Sequence, residues 1–225
     1  MAKSNSARPA KTRVLIIEDH PIVRERLAEL IGNEVDLELC GQADDAWQGI
    51  ELIEATRPQL VITGLSLPHS HGLGFIKDLH ARFPRVRVLV FSMYDEFLYA
   101  ERAIRAGALG FVHKRAATGE LLRAVRQVLG GEIYLSDKVA GASIRRFFGR
   151  SSIRTRSPLE QLSDRELEVL RLIGQGRSTR QIAAALNVDV KTVETYRARI
   201  KVKLKLATAA ELVRQAQRWM QYAHA

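Results

Sequence analysis

Cysteine is nearly absent: Cys40 is the only one among 225 residues. A single thiol closes no internal disulfide, and its place in the apolar run Leu37–Cys40 points to a buried, reduced side chain and away from a redox sensor. Also missing is any run of about 18 apolar residues, which excludes a membrane-spanning helix. Residues 1–11 are polar and lack the apolar stretch of a secretion signal, so a cytoplasmic location without membrane association is expected.

Charge is present in quantity and unevenly placed. The formal net charge is +10, with Lys and Arg exceeding Asp and Glu by four in residues 1–13, by five in 137–158 and by five in 159–225. In residues 14–136 the acids exceed the bases by four. An acidic N-terminal part followed by a basic remainder is the footprint of a polyanion partner, nucleic acid ahead of anionic lipid, because no basic, aromatic amphipathic helix accompanies it. Solvated surface lysine and arginine would give the same count, so charge alone does not decide.

The length suits two domains, each large enough for its own core. From Arg13 onward, β-rich apolar runs alternate with helical periodicity. Strands are predicted at Val14–Ile17, Leu37–Cys40, Leu60–Thr63, Val86–Phe91 and Ala108–Val112. The intervening helices are predicted near Pro21–Ile31, Ala46–Thr56, Gly74–Arg82, Glu96–Ala106 and Thr118–Leu129. Five strands alternating with five helices imply an α/β doubly wound parallel sheet, whose ligands sit at the carboxyl ends of the strands. Those ends hold Glu18 and Asp19, then Gly64, Ser92 and Lys114.

The motifs Ile16-Ile17-Glu18-Asp19-His20, Gly64-Leu65-Ser66-Leu67-Pro68, Phe91-Ser92-Met93 and Gly110-Phe111-Val112-His113-Lys114 resemble, in order and spacing, the receiver domain of bacterial response regulators (the CheY-like, flavodoxin-like fold). The resemblance covers residues 13–131. It implies that Glu18 and Asp19 are a Mg²⁺-binding pair, Ser92 and Lys114 the phosphate-holding hydroxyl and lysine, and Phe111 the switch aromatic, with Ser66 beside the pocket. The same resemblance puts the phosphoacceptor aspartate at position 64, where this chain has Gly64. Glycine neither attacks nor ligates, and Thr63 and Leu65 supply no carboxylate. An aspartyl-phosphate cycle is therefore not expected, no catalytic residue is assigned, and Mg²⁺ binding should be impaired by the loss of one of three carboxylates.

Three readings of the altered site stay open. Lys114 could swing onto Asp19 or Glu18 as an internal ion pair. His69 and His71 could join Glu18 and Asp19 around a transition metal, although no metal is the first expectation. The pocket could also be an inert remnant.

Residues 1–12 read as a basic, disordered extension and 132–158 as a basic linker, a tether or a phosphate-contacting arm. Helical signals restart at Ser163-Asp164-Arg165-Glu166, a capping box. Leu167, Leu170 and Ile173 follow at helical spacing. Gly174 and Gly176 end that helix, Ser178 caps a second with Ile182, Ala183 and Leu186 inward, and Asn187 is a plausible left-handed stop. Asp189 then caps a third helix with Val193, Tyr196, Ile200 and Leu204 inward, and a fourth runs from about Thr208 to Gln221. Two short helices followed by a basic one form the helix-turn-helix layout, here an all-α four-helix domain over 159–225.

The stretches Leu162–Leu170, Gln181-Ile182-Ala183 and Lys191–Arg197 resemble the LuxR-type DNA-binding domain. That resemblance implies a third helix docked in the major groove of double-stranded DNA and a homodimer formed through the fourth helix. Carried onto this sequence, Glu194, Thr195 and Ala198 would face base edges. Lys191, Thr192, Arg197, Arg199 and Lys201, with Thr179 at the start of the second helix, would hold the backbone. Lys203 also reads as an outward position. Both halves together resemble a NarL/FixJ-type response regulator: a transcription regulator, not an enzyme, controlled without aspartyl phosphorylation. The alternatives are an adaptor that pairs with a phosphorylatable partner receiver, and a receiver gated by a small ligand or metal at the strand ends.

Overall fold

The computed structural model describes residues 11–68, 70, 72–147 and 157–224. The N-terminal extension up to residue 10, His69, His71 and the linker segment 148–156, with Arg150, Arg154 and Arg156, lie outside the described residues.

Strands and helices alternate from the start: β1 (Thr12–Ile17), α1 (Pro21–Gly32), β2 (Leu37–Ala43), α2 (Ala46–Thr56), β3 (Leu60–Thr63), α3 (Leu73–Arg82), β4 (Arg87–Ser92), α4 (Glu96–Ala106), β5 (Gly110–His113) and α5 (Thr118–Leu129). The strands form one sheet in the order β2-β1-β3-β4-β5, with β1 parallel to β2 and β3, and β3 parallel to β4. β1 shows why the sheet is wound on both faces. Val14 and Ile16 join a core with Leu27 and Ile31 of α1 and with Leu121, Val125 and Val128 of α5. Ile17 turns to the opposite face, where it lies so close to α2 that a side chain at Gly49 would meet it at 2.6 Å. Strand side chains alternate between faces, so a strand apolar throughout needs a cover on each side. Each large aliphatic side chain removed from water contributes about 1.5–3 kcal/mol to that cover.

The C-terminal part is helical: α6 (Asp137–Phe147), a 3-10 turn at Pro158–Gln161, α7 (Asp164–Gly174), α8 (Thr179–Leu186), α9 (Val190–Leu204) and α10 (Ala209–His224). The stretch expected to be linker thus opens with a helix. Ser136 starts it, accepting from the Val139 amide through its side chain and from the Ala140 amide through its carbonyl, and Val139 is buried. The capping box of α7 and the left-handed Asn187 that ends α8 are both present. Asp189 stands at the N-cap of α9 without capping by its side chain; its carbonyl instead accepts from the Thr192 and Val193 amides.

By packing, the chain divides into two compact units. Of the described residues, the first holds those up to Ser92 with 106–112 and 116–134; the second holds Met93–Arg105, His113–Arg115 and those from Leu135 on. The second unit therefore includes α4, which the sequence pattern alone assigns to the α/β half. Its core is built from Leu167, Leu170 and Ile173 of α7, Ile182 and Leu186 of α8, Val193 and Ile200 of α9, and Leu212 and Ala216 of α10, all buried. Tyr196 and Leu204, expected inside, are half-buried.

α7 and α10 touch at Gly174, where an added Cβ would lie 2.7 Å from the Ala216 carbonyl oxygen and 2.6 Å from Met220 Cγ. Met220 can bend away, whereas backbone moves only with its helix. Gly174→Ala is expected to push α10 off α7 and to destabilise the second unit by about 1–3 kcal/mol. Thermal unfolding checks this, and a Gly174→Ala protein melting with the wild type would contradict it.

Candidate functional site

Because both faces of the sheet are covered, its chemistry collects at the rim where the strands end. β1 delivers Glu18, almost fully buried at 1% exposure, and the half-buried Asp19. The exposed His20 turns back on both: its Nδ1 lies 2.8 Å from Asp19 Oδ1 and 3.1 Å from Glu18 Oε1, which also accepts from the His20 amide at 3.2 Å. Carboxylate oxygens only accept, so Nδ1 is the protonated ring nitrogen. Arg24 fixes the turn by donating to the Glu18 carbonyl at 2.5 Å.

Gly64 ends β3 next to this group. It is buried, and its amide donates to the Ile17 carbonyl at 3.0 Å. A Cβ built there would lie 3.0 Å from Glu18 Oε2, so the Glu18 carboxylate borders the space that a side chain at 64 would enter. Thr63 is buried and donates its hydroxyl to the Gly64 carbonyl at 3.1 Å. Ser92 at the end of β4 and Phe111 in β5 are buried, and Ser66 is half-buried. Lys114 follows directly on the last residue of β5. The structure thus places Glu18, Asp19, Gly64, Ser92 and Phe111 at strand ends or within strands as the sequence predicts. His20, quoted in the β1 motif without a role, is the residue that sequence reasoning missed. Glu18, Asp19 and His20 each bring one ligand atom within 4.8 Å of the others. The proposed addition of His69 and His71 to that group lies outside the described residues.

The second site is the outer face of α9. Lys191, Glu194, Thr195, Ala198 and Arg199 are exposed, and Thr192, Arg197 and Lys201 are half-buried. The Thr195 hydroxyl donates to the Lys191 carbonyl at 3.0 Å, which satisfies it within the helix and leaves the methyl as the group free for an apolar contact. Thr179 is half-buried at the first position of α8. Lys203, expected outward, keeps 37% of its side chain exposed but sets its Nζ 2.6 Å from Oε2 of Glu166, whose side chain is 3% exposed. The same Oε2 accepts from the Ser163 amide at 2.7 Å, and the Ser163 hydroxyl accepts from the Glu166 amide at 3.3 Å. The capping box announced the Glu166 side chain, but nothing in the sequence spacing announced that its oxygen would also reach α9.

Residues 14–126 match the response regulator receiver domain family, and residues 160–216 match the family described as bacterial regulatory proteins, luxR family. Among curated proteins, the chain is 33% identical over 208 residues to the oxygen regulatory protein NreC of Staphylococcus haemolyticus (strain JCSC1435), covering 91% of this chain and 96% of that one. NreC of Staphylococcus carnosus (strain TM300) matches to the same extent. Among solved structures, RcsB from Salmonella enterica serovar Typhimurium, bound to promoter rprA in the presence of the phosphomimetic BeF3-, superposes with a TM-score of 0.73 at 23% identity, over 92% of this chain and 99% of that one. That likeness is one of fold. A LuxR-family two-component response regulator from Aurantimonas sp. SI85-9A1 is 30% identical over 61% of this chain and 99% of its own, with a TM-score of 0.57.

Burial by itself would raise the Glu166 carboxyl; the Lys203 ammonium and the Ser163 cap outweigh it and hold the group below the usual carboxylate range. A depressed folded value stabilises above the unfolded carboxylate pKa of about 4.3, and that contribution is lost as pH falls through the folded value. Glu166→Gln is therefore expected to lower the melting temperature of the second unit at pH 7, the gap narrowing as pH falls below the unfolded carboxylate pKa of about 4.3. Parallel melts from pH 7 to pH 3 check this; a gap that persists unchanged in acid would contradict it.

Proposed function

Since the chain belongs to the LuxR-type response regulators of the NarL/FixJ kind, we propose that it is a sequence-specific DNA-binding transcription regulator whose receiver works without aspartyl phosphorylation. The observation that carries this reading is Gly64 at the end of β3. A phosphoryl group is taken up by an oxygen attacking phosphorus in line, and here no side-chain atom exists to attack. Thr63 gives no substitute, since its hydroxyl is buried and donates to the Gly64 carbonyl, and a hydroxyl needs a base to become a nucleophile.

The family's Mg²⁺ does not fit the residues present. Mg²⁺ demands near-octahedral oxygen coordination and relies on carboxylates plus substrate phosphate. The oxygen that an acid at 64 would supply is missing, and the His20 N–H lies against the two carboxylates that remain.

The output is DNA. RcsB has been captured on promoter DNA, in one case at 25% identity to this chain over 92% of its length, and two RcsB dimers have been captured on two parallel DNAs. Glu194, Thr195 and Ala198 on the exposed face of α9 are assigned to base edges, glutamate accepting from cytosine and the threonine methyl meeting thymine. Lys191, Thr192, Arg197, Arg199 and Lys201, with Thr179, are assigned to the phosphates. Binding as a homodimer through α10 completes the proposal, with control supplied by a ligand, a partner receiver or protein level.

Incubation with acetyl phosphate and Mg²⁺, followed by intact mass measurement, is expected to leave the protein unmodified and its DNA affinity unchanged. The Gly64→Asp variant, in which Glu18 must yield by a few tenths of an ångström, serves as the control for phosphate uptake. A phosphoryl adduct on the wild type with a matching gain in DNA affinity would overturn the reading. For the interface, Arg199→Ala should weaken all duplexes alike and lower the salt slope by about 1. Thr195→Ala should instead cost about 1 kcal/mol of discrimination at one base pair. Gel shifts on matched and mismatched duplexes would refute the assignment if the two effects were exchanged.

A further inference from the structure

Arg102, on α4, is the most deeply held cation whose bonds are described in the second unit, with a side chain 13% exposed. Its Nη1 donates to Asp164 Oδ1 at 2.9 Å, and its Nη2 donates to the carbonyls of Leu162 at 2.7 Å and Glu160 at 3.1 Å. All three acceptors lie within five residues, the 3-10 turn and the cap that set where α7 begins. A guanidinium suits this task, because its donors stand in a fixed planar fork that orients what it binds.

The turn before α4 also meets α7. Tyr99, buried one turn ahead of Arg102, packs its ring at 4.9 Å and a tilt of 43° on Tyr94, which precedes α4, and the Arg171 guanidinium of α7 lies 5.7 Å from the Tyr94 ring centre. From the capped start of α7 the bonding continues. Glu166 closes the box on Ser163 and pairs with Lys203 in the last turn of α9. An unbroken series of hydrogen bonds thus joins α4 to the cap of α7 and the cap to α9, and α4 follows β4, which ends at Ser92, by a short piece of chain.

We propose that Arg102 is a positioning residue for the DNA-reading helix: it fixes the start of α7, and the start of α7 fixes α9 through Glu166 and Lys203. The proposal rests on α9 being the DNA reader. With these bonds made, Lys191, Glu194, Thr195, Ala198 and Arg199 are exposed, so the contact supports the reading face and does not cover it. Loosening it weakens DNA binding.

The test uses the full-length chain and a promoter fragment selected from random duplexes by the wild-type protein. Arg102→Gln, Lys203→Met and the double variant are compared for DNA affinity at several salt concentrations and, without DNA, for hydrogen exchange of the α9 amides. Each single variant is expected to lose about 3- to 10-fold in affinity, the double variant little more than either, as coupled residues do. The salt slope of Arg102→Gln should stay at the wild-type value, because Arg102 meets no phosphate. In both single variants α9 should exchange faster.

Full DNA affinity in Arg102→Gln overturns the proposal even if its melting temperature falls, and so do losses that multiply in the double variant. Should the wild type select no DNA, the functional reading fails by itself. The exchange data then still decide on Arg102: acceleration of α9 in both single variants upholds its positioning role, and unaltered exchange in Arg102→Gln removes it.

Discussion

A parallel sheet covered on both faces is the constraint from which the first unit follows. Once Val14 and Ile16 are committed to α1 and α5, and Ile17 to α2, no polar group can be carried on the sheet's faces without losing water. The strand ends are the remaining place for chemistry. Glu18, Gly64 and Ser92 are neighbours for that reason, although they lie far apart in the chain, and the rim is where one missing side chain changes what the domain can do. The result is a site of ordinary frame and altered content, with a histidine N–H on the acidic pair and a glycine at the end of the next strand.

The second unit depends on a single carboxylate in a comparable way. Glu166 is buried, where an unpaired charge would be costly. It is tolerated because Ser163 and Lys203 both donate to it. Breaking one partner leaves the other group stranded, so the cap of α7 and the last turn of α9 hold or yield together. α7 and α9 are thereby tied to one another at this carboxylate.

Much of this was legible in the sequence because periodicity reports burial. The bounds of α2, β3, α4 and α5 fell where apolar spacing put them, and the capping box at Ser163 and the cap at Ser178 marked helix starts by their own chemistry. β2 ran three residues past its predicted end, since Gly41 interrupts the apolar run without interrupting the strand. α6 was missed because the arginines, serines and glycines of that stretch read as a tether, although the helix runs from Asp137 to Phe147 within it. Of the sites, the rim positions were readable from strand ends. The contacts of His20, Arg102 and Lys203 were not, because each is a side chain reaching across space to an acceptor that no spacing rule places beside it.

The bare Cα at position 64 also has a bearing on time. A covalent mark persists after its donor has gone and ends only when a bond is hydrolysed, which gives a switch a memory and a clock of its own. On the proposed reading, position 64 has no atom to carry such a mark; a signal read there would be held by occupancy alone, the response following the concentration of what binds and fading as fast as it dissociates.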